Sequence, residues 1–349
     1  MEVAEFRLLH LISEKPPVKS GFARAISRLA EELTKLGHEV DVLSASDCQL
    51  KVIGEIKLIV GMRKIDEHLR EEYDIVNIHG NTPMFSDRLL LKSKAMRKKI
   101  VNTYHCPAAH YVGPASYMYN SIFNSLMPRL VDAVITTSIS YYDALSTSKR
   151  KYLVSWGVDS DMFAGARIPH EGYRVLYVGQ MRPYKGLKVL IQAMKGTSGE
   201  LNIVGNGPDR TKLQKYSKRS GLQDVHFHGA IPDDELREMY LCNDVVVLPS
   251  ISTNEAFGLI TLEAASAGCA VVASDLPGLR DVVKDFGILV KPKDTERLRN
   301  VLLDLRNDSA RAKYVSNGLK VATRYSWKKT ALEYERVYRD VLAAQQPSV

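Results

Sequence analysis

Short apolar runs alternate with longer amphipathic stretches along the whole chain. In the first half, Phe6–Ile12, Glu39–Leu43, Asp74–His79, Ile100–His105, Ala133–Thr137 and Tyr152–Ser155 have the length and β-branched content of strands. Helix-period segments separate them. The clearest runs from about Phe22 to Leu36 and is closed by Gly37. A polar stretch with Gly and Pro, Asp159–Gly172, reads as a linker. The alternation then restarts with Arg174–Val178, Leu201–Val204, Val225–His228, Val245–Leu248, Ala270–Ser274 and Ile288–Val290. Trp327 to about Ala343 reads as a long helix with Leu332, Val337, Tyr338 and Val341 on its apolar stripe. Strands alternating with helices predict parallel sheets covered on both faces. The expected architecture is α/β: two Rossmann-like domains facing each other across a cleft. They would span residues 1–158 and 173–325, joined by the linker 159–172, with residues 326–349 as a terminal helix.

The chain has 349 residues, 45% hydrophobic and 25% charged, enough for two globular domains. Its formal charge is +8, with 20 basic and 17 acidic residues in positions 1–150 and 28 and 23 after that. The excess is spread, which gives mild support for anionic ligands and none for a nucleic-acid domain. Cys48, Cys106, Cys242 and Cys269 lack metal-ligand spacing, so reduced thiols in the cytoplasm are expected. No export signal is visible, and no run approaches the roughly 18 apolar residues of a membrane span. Membrane contact would therefore be peripheral, on the inner face. Arg88, Lys92, Lys94, Arg97, Lys98 and Lys99 form a run that could meet anionic headgroups or simply be a solvated helix face.

One stretch organises the candidate chemistry. Asn254-Glu255-Ala256-Phe257-Gly258-Leu259 follows a strand and opens a helix that carries Glu263. Helix N-termini offer unpaired N–H groups and a partial positive charge, which suit a phosphate. Phe257, Gly258 and Leu259 would carry those amides. At about 1.5 Å of rise per residue the two acids would lie on the order of 12 Å apart. That exceeds the roughly 5–9.5 Å of a glycosidase pair, so they would hold different parts of one elongated ligand. The plainer alternative is an exposed first-turn acid and a solvated helix acid.

Other loops add to this. Gly179 to Gly186 places Arg182 and Lys185 after a strand, where two cations make an anion site. Gly205-Asn206-Gly207-Pro208 follows another strand, but Arg210 stands where a dinucleotide fingerprint needs its third glycine. The loop Pro16 to Arg24 sets Ser20 and Gly21 at a strand-to-helix turn, either a phosphate contact or a plain turn. His79 and His105 each end a first-half strand and could bond a sugar hydroxyl or serve structurally. Asp159-Ser160-Asp161 has the D-x-D form of metal sites, but it lies in the predicted linker and reads as capping or solvated acids. No metal site is expected.

Taken together these residues resemble the retaining glycosyltransferases of family 4, with GT-B architecture, over nearly the whole chain. The resemblance rests on Ser252 to Gly278 with its two acids eight residues apart, on Gly179–Gly186 and Gly205–Pro208, and on Trp156-Gly157-Val158-Asp159, similar to the family's N-G-V-D. It departs at Ser20, where the family has a glycine, and at Trp156, where it has Asn. It implies that Glu255 lies beside the donor sugar and Glu263 binds the ribose. It also implies that Arg182 and Lys185 hold the diphosphate and Gly21 approaches it from the other domain. His105 would meet the transferred sugar, and Gly229, Ala230, Ile231 and Pro232 would border the base. The Phe257, Gly258 and Leu259 amides would touch sugar or phosphate, and the last helix would cross back to the first domain.

The expected activity is metal-independent, retaining transfer of a hexose from a UDP- or GDP-sugar to a hydroxyl acceptor: lipid, saccharide or small molecule. A GT-B nucleotide-sugar epimerase and a non-catalytic two-domain sugar binder are the alternatives.

Overall fold

The computed structural model describes residues 5–16, 20–53, 56–108, 114–147 and 149–344. The chain divides into two compact units, Met1–Gly157 with Trp327–Val349 and Val158–Ser326.

The first unit contains β1 (Arg7–Ile12), β2 (Glu39–Ser44), β3 (Gln49–Ile53), β4 (Ile56–Gly61), β5 (Ile75–His79), β6 (Ile100–Tyr104), β7 (Ala133–Thr136) and β8 (Arg150–Leu153). Its first five helices are α1 (Gly21–Lys35), α2 (Arg63–Arg70), α3 (Ser86–Ala95), α4 (Pro114–Leu130) and α5 (Ile139–Ala144). Among the described residues, six parallel strands form one sheet in the order β2-β1-β5-β6-β7-β8. Antiparallel β3 and β4 pair separately. Neither is among the strands expected from the sequence pattern. Residues of both sheet faces are buried, Leu9, Val76 and Ile100 on one and Leu8, Ile75 and Val101 on the other, which is what a parallel sheet between helix layers requires. Ser20 caps α1: its hydroxyl accepts the Ala23 N–H at 3.1 Å.

The second unit opens with α6 (Ser160–Phe163), inside the stretch read as a linker; Phe163 is buried and its ring meets Tyr240 edge-on. Then come β9 (Arg174–Val178), β10 (Glu200–Val204), β11 (Val225–Gly229), β12 (Val245–Leu248), β13 (Ala270–Ser274) and β14 (Ile288–Val290). The helices are α7 (Leu187–Ala193), α8 (Arg210–Arg219), α9 (Asp233–Leu241), α10 (Leu259–Ser266), α11 (Pro277–Val283), α12 (Thr295–Asp304) and α13 (Asp308–Ala322). Among the described residues the sheet has six parallel strands in the order β11-β10-β9-β12-β13-β14. β12 is wholly apolar and wholly buried, as a central strand between two helix layers must be. The chain runs outward from β9 in one direction and from β12 in the other. The place between them is the topological switch point, where open α/β sheets bind ligands.

The chain ends in α14 (Trp327–Ala343), which belongs to the first unit and packs on α1. Its buried face carries Ala331, Tyr334, Val337, Tyr338 and Val341. Leu332, expected on that stripe, is exposed; the helix turns its aromatic residues inward instead.

Candidate active site

Two loops meet at the switch point of the second unit. One leaves β9 and contains Arg182 and the 3₁₀ turn Pro183–Lys185. The other runs from Pro249 to Gly258, after β12. The Ile251 N–H donates to the Tyr184 carbonyl at 2.7 Å, pinning the loops together. Gly186 has φ +70°, and a Cβ there would stand 1.9 Å from the Pro249 carbonyl oxygen. Only glycine allows both this backbone conformation and this approach.

This contact delivers Lys185 to Glu255, with Nζ 2.5 Å from Oε2 and both side chains largely buried. The Ser250 hydroxyl donates to the same Oε2 at 2.8 Å. Burial works to lower the Lys185 pKa, but the facing Glu255 charge prevails and the ammonium is held above its ordinary value. Lys185 is thus a permanent cation in a protected place, with one of its three N–H donors committed to Glu255.

The plain reading of the two acids does not hold. Glu255 is 8% exposed and Glu263 5%. α10 begins only at Leu259, with Gly258 as its left-handed N-cap, so Glu255 lies in the loop ahead of the helix. The helical-rise estimate of their separation therefore does not apply. Glu263 faces inward, where its Oε2 accepts the Tyr240 hydroxyl of α9 at 2.8 Å. Tyr240 and Ser250 were not foreseen; both orient an acid through a hydroxyl whose position only the fold decides.

Arg182 is exposed at the N-cap of the 3₁₀ turn, and its Nε donates to the Gln180 side chain at 2.7 Å. Gly205 and Gly207 have a packing role. A Cβ on Gly205 would come 2.1 Å from the Gly179 carbonyl oxygen, and one on Gly207 2.5 Å from that of Met181. These glycines let the β10 loop lie on the β9 loop. The Gly205 N–H in turn donates to the Gly229 carbonyl at 2.6 Å, so the segment holding Ala230 and Ile231 joins the same edge. Arg210, absent from the dinucleotide pattern, donates to the Asn206 side chain at 2.5 Å and the Phe227 carbonyl at 3.1 Å. Phe257 is buried with its ring edge-on to Tyr325, and Leu259 opens α10.

Gly21 and His105 belong to the first unit. Gly21 starts α1, and among the described residues nothing stands within 4 Å of where its Cβ would be. Pro17, Val18 and Lys19 of this loop lie outside the described residues. His105 follows β6 and is buried, with its ring 4.9 Å from that of Trp156 and 5.1 Å from that of Phe22. His79 and, unforeseen, His10 line up behind it. Trp156, a departure from the family pattern, is therefore a wall of the His105 site. Asp159 and Asp161 lie at the start of α6.

The cationic run is partly engaged. Lys92 pairs with Asp66 at 2.5 Å, Arg88 donates to the Ile59 carbonyl, and Lys98 donates to the Glu71 carbonyl. Among the described residues no helix is long and apolar enough to cross a membrane.

Known proteins resemble the chain in sequence and in fold. Residues 159–321 match the family model of the glycosyl transferases group 1, and residues 19–162 that of Glycosyltransferase Family 4. A phosphatidyl-myo-inositol mannosyltransferase of Mycobacterium leprae is 35% identical, covering 77% of this chain and 74% of its own. Its Mycolicibacterium smegmatis counterpart is 27% identical, covering 94% and 92%. Among solved structures, sucrose-phosphate synthase from Thermosynechococcus elongatus superposes with TM-score 0.79 at 22% identity, covering 97% of this chain and all of that one. Anabaena HepE, solved with UDP-glucose, gives 0.74 at 18% identity, with 97% and 100% covered. The two six-stranded parallel sheets and these neighbours give the fold as GT-B. The chain belongs to the group 1, family 4 glycosyltransferases.

Proposed function

We propose that this enzyme moves a hexose from a nucleotide-diphosphate sugar to a hydroxyl acceptor, with retention at the anomeric carbon and without a metal. The observation that carries the reading is the buried Lys185–Glu255 pair at the switch point, with Arg182 on the same loop. Breaking the C1–O bond leaves charge on the departing diphosphate. Two fixed cations answer it without the reorganisation that water would need. Glu255 holds the Lys185 charge against the opposing effect of burial, and it borders the donor sugar. Glu263, oriented by Tyr240, takes the ribose, while Ala230 and Ile231 border the base. Gly205 and Gly207 shape the loop beneath the diphosphate, and the Phe257, Gly258 and Leu259 backbone meets sugar or phosphate. From the first unit, Gly21 approaches the diphosphate and His105 meets the transferred sugar. The acceptor hydroxyl attacks from the face the diphosphate leaves, which takes its proton.

The UDP-glucose bound by HepE supports a nucleotide-sugar donor, and the mannosyltransferase relatives support mannose with an inositol-lipid acceptor as the first pair to assay. Incubation of UDP- and GDP-hexoses with candidate acceptors in excess chelator, with the product anomer read by NMR, tests each part. The expected product keeps the donor configuration. An inverted product, or activity lost with the metal, overturns the corresponding element.

The enzyme works in the cytoplasm, and peripheral contact with an anionic membrane completes the proposal. Of the run Arg88–Lys99, Lys94 and Arg97 remain exposed. Neighbouring α4 turns Tyr117, Met118, Ile122 and Leu126 outward. Co-sedimentation with anionic vesicles that falls with salt is expected. Equal binding to neutral vesicles, or none, would remove this part.

A further inference from the structure

In the first unit six hydrogen bonds join end to end and stop at His105. The Tyr334 hydroxyl donates to Thr103 Oγ1 at 3.4 Å, Thr103 Oγ1 donates to Asn77 Oδ1 at 3.0 Å, and Asn77 Nδ2 donates to the Tyr338 hydroxyl at 2.8 Å. That hydroxyl lies 3.2 Å from His10 Nε2. His10 Nδ1 is 3.0 Å from His79 Nε2, and His79 Nδ1 is 3.3 Å from His105 Nε2. All seven side chains are buried.

The chain has a direction. Because Tyr338 accepts from Asn77, its single proton points to His10 Nε2. A neutral imidazole that accepts at one nitrogen must donate from the other. His10 therefore donates from Nδ1 to His79, and His79 donates from Nδ1 to His105. The last proton arrives at His105 Nδ1, a buried atom with no hydrogen-bond partner among the described residues. The reverse direction would leave two groups unsatisfied, the Tyr338 O–H and the His105 Nδ1 lone pair, instead of one. The rings stay neutral: burial lowers His10 and His105 to about 3 and pushes His79 the same way.

We propose that Tyr338, His10 and His79 are positioning residues that lock His105 in its Nδ1–H form, presenting one donor to an oxygen of the sugar substrate. This rests on the glycosyl-transfer reading and adds to it that α14, through Tyr338, decides which nitrogen of His105 holds the proton.

Long-range ¹H–¹⁵N correlation spectra of the ligand-free, ¹⁵N-histidine-labelled full chain test it. All three rings are expected to carry the proton on Nδ1. A proton on Nε2 of His105 overturns the relay whatever the activity. Tyr338→Phe keeps the ring and removes the hydroxyl. Its His105 is expected to mix both tautomers, with kcat lower by about tenfold, the rate equivalent of one hydrogen bond. An unchanged Nδ1–H form in this variant also overturns the proposal. Should the variant fail to fold, the wild-type spectrum decides alone. No transfer by the wild type with any donor would overturn the glycosyl-transfer reading, and with it the sugar as partner of this N–H. The spectrum separates that failure from a failure of the relay.

Discussion

Glu255 and Lys185 have to be judged together, because each makes the other's burial tolerable. Removing one member of a buried pair leaves an uncompensated charge, at a cost on the order of 3 kcal/mol. Glu255→Ala is therefore expected to lower the unfolding free energy by about that much in urea titration; a change within about 0.5 kcal/mol would mean the pair is open to water. Tyr240→Phe should cost about 1 kcal/mol by leaving Glu263 Oε2 without its phenol donor. Arg182, Lys185 and Glu255 stood out in the sequence as charges in loops that follow strands, and Glu263 by its spacing from Glu255. Their environment did not. Burial of the two acids depends on Ser250 and Tyr240, and a serine or tyrosine announces nothing until the fold turns its hydroxyl toward a carboxylate.

At the scale of elements, Gly186 is the joint between the β9 and β12 loops. Gly186→Ala would combine a left-handed backbone with a Cβ driven against Pro249. The expected result is a loss of stability of more than about 1 kcal/mol together with weaker donor binding, as the Lys185 turn moves away from Glu255. Calorimetric titration with the donor checks the second part; unchanged affinity would show that the turn does not hold it. β9, β12, β13 and β14 were readable almost to the residue, because their runs are largely apolar and, in β12 and β13, buried throughout. β8, more exposed, was misplaced by two residues, Arg150–Leu153 against Tyr152–Ser155. β3 and β4 were missed because their alternating pattern breaks the βα rhythm. Leu332 was placed inside on an apolar criterion, whereas tyrosines with hydroxyl partners took the buried side of α14.

For the molecule as a whole, buried histidines set the acid limit. His10 and His105 titrate at about 3 in the folded chain against 6.5 when exposed, and burial moves His79, His38 and His228 the same way. Between these values the unfolded chain binds more protons than the folded one, so the contribution is complete above pH 6.5 and is lost as pH falls toward 3. Each fully buried ring then costs about 1.4 kcal/mol per pH unit. Urea titrations at pH 7.5 and 5.5 are expected to show a fall of a few kcal/mol; equal stabilities would mean these rings are protonated in place. The lowered Asp47, at about 2 against 3.8, loses its contribution only below about pH 3.8, outside the two conditions compared.

Steady-state turnover of wild type, Arg182→Ala and Lys185→Ala with a nucleotide-diphosphate hexose bears most directly on the account, because the two cations are its central claim. Loss of one preorganised donor is worth about 2.7–4 kcal/mol in the barrier, so each variant is expected to fall by about 100-fold or more while its far-ultraviolet spectrum stays that of the wild type. Turnover near the wild-type rate in both variants would contradict it.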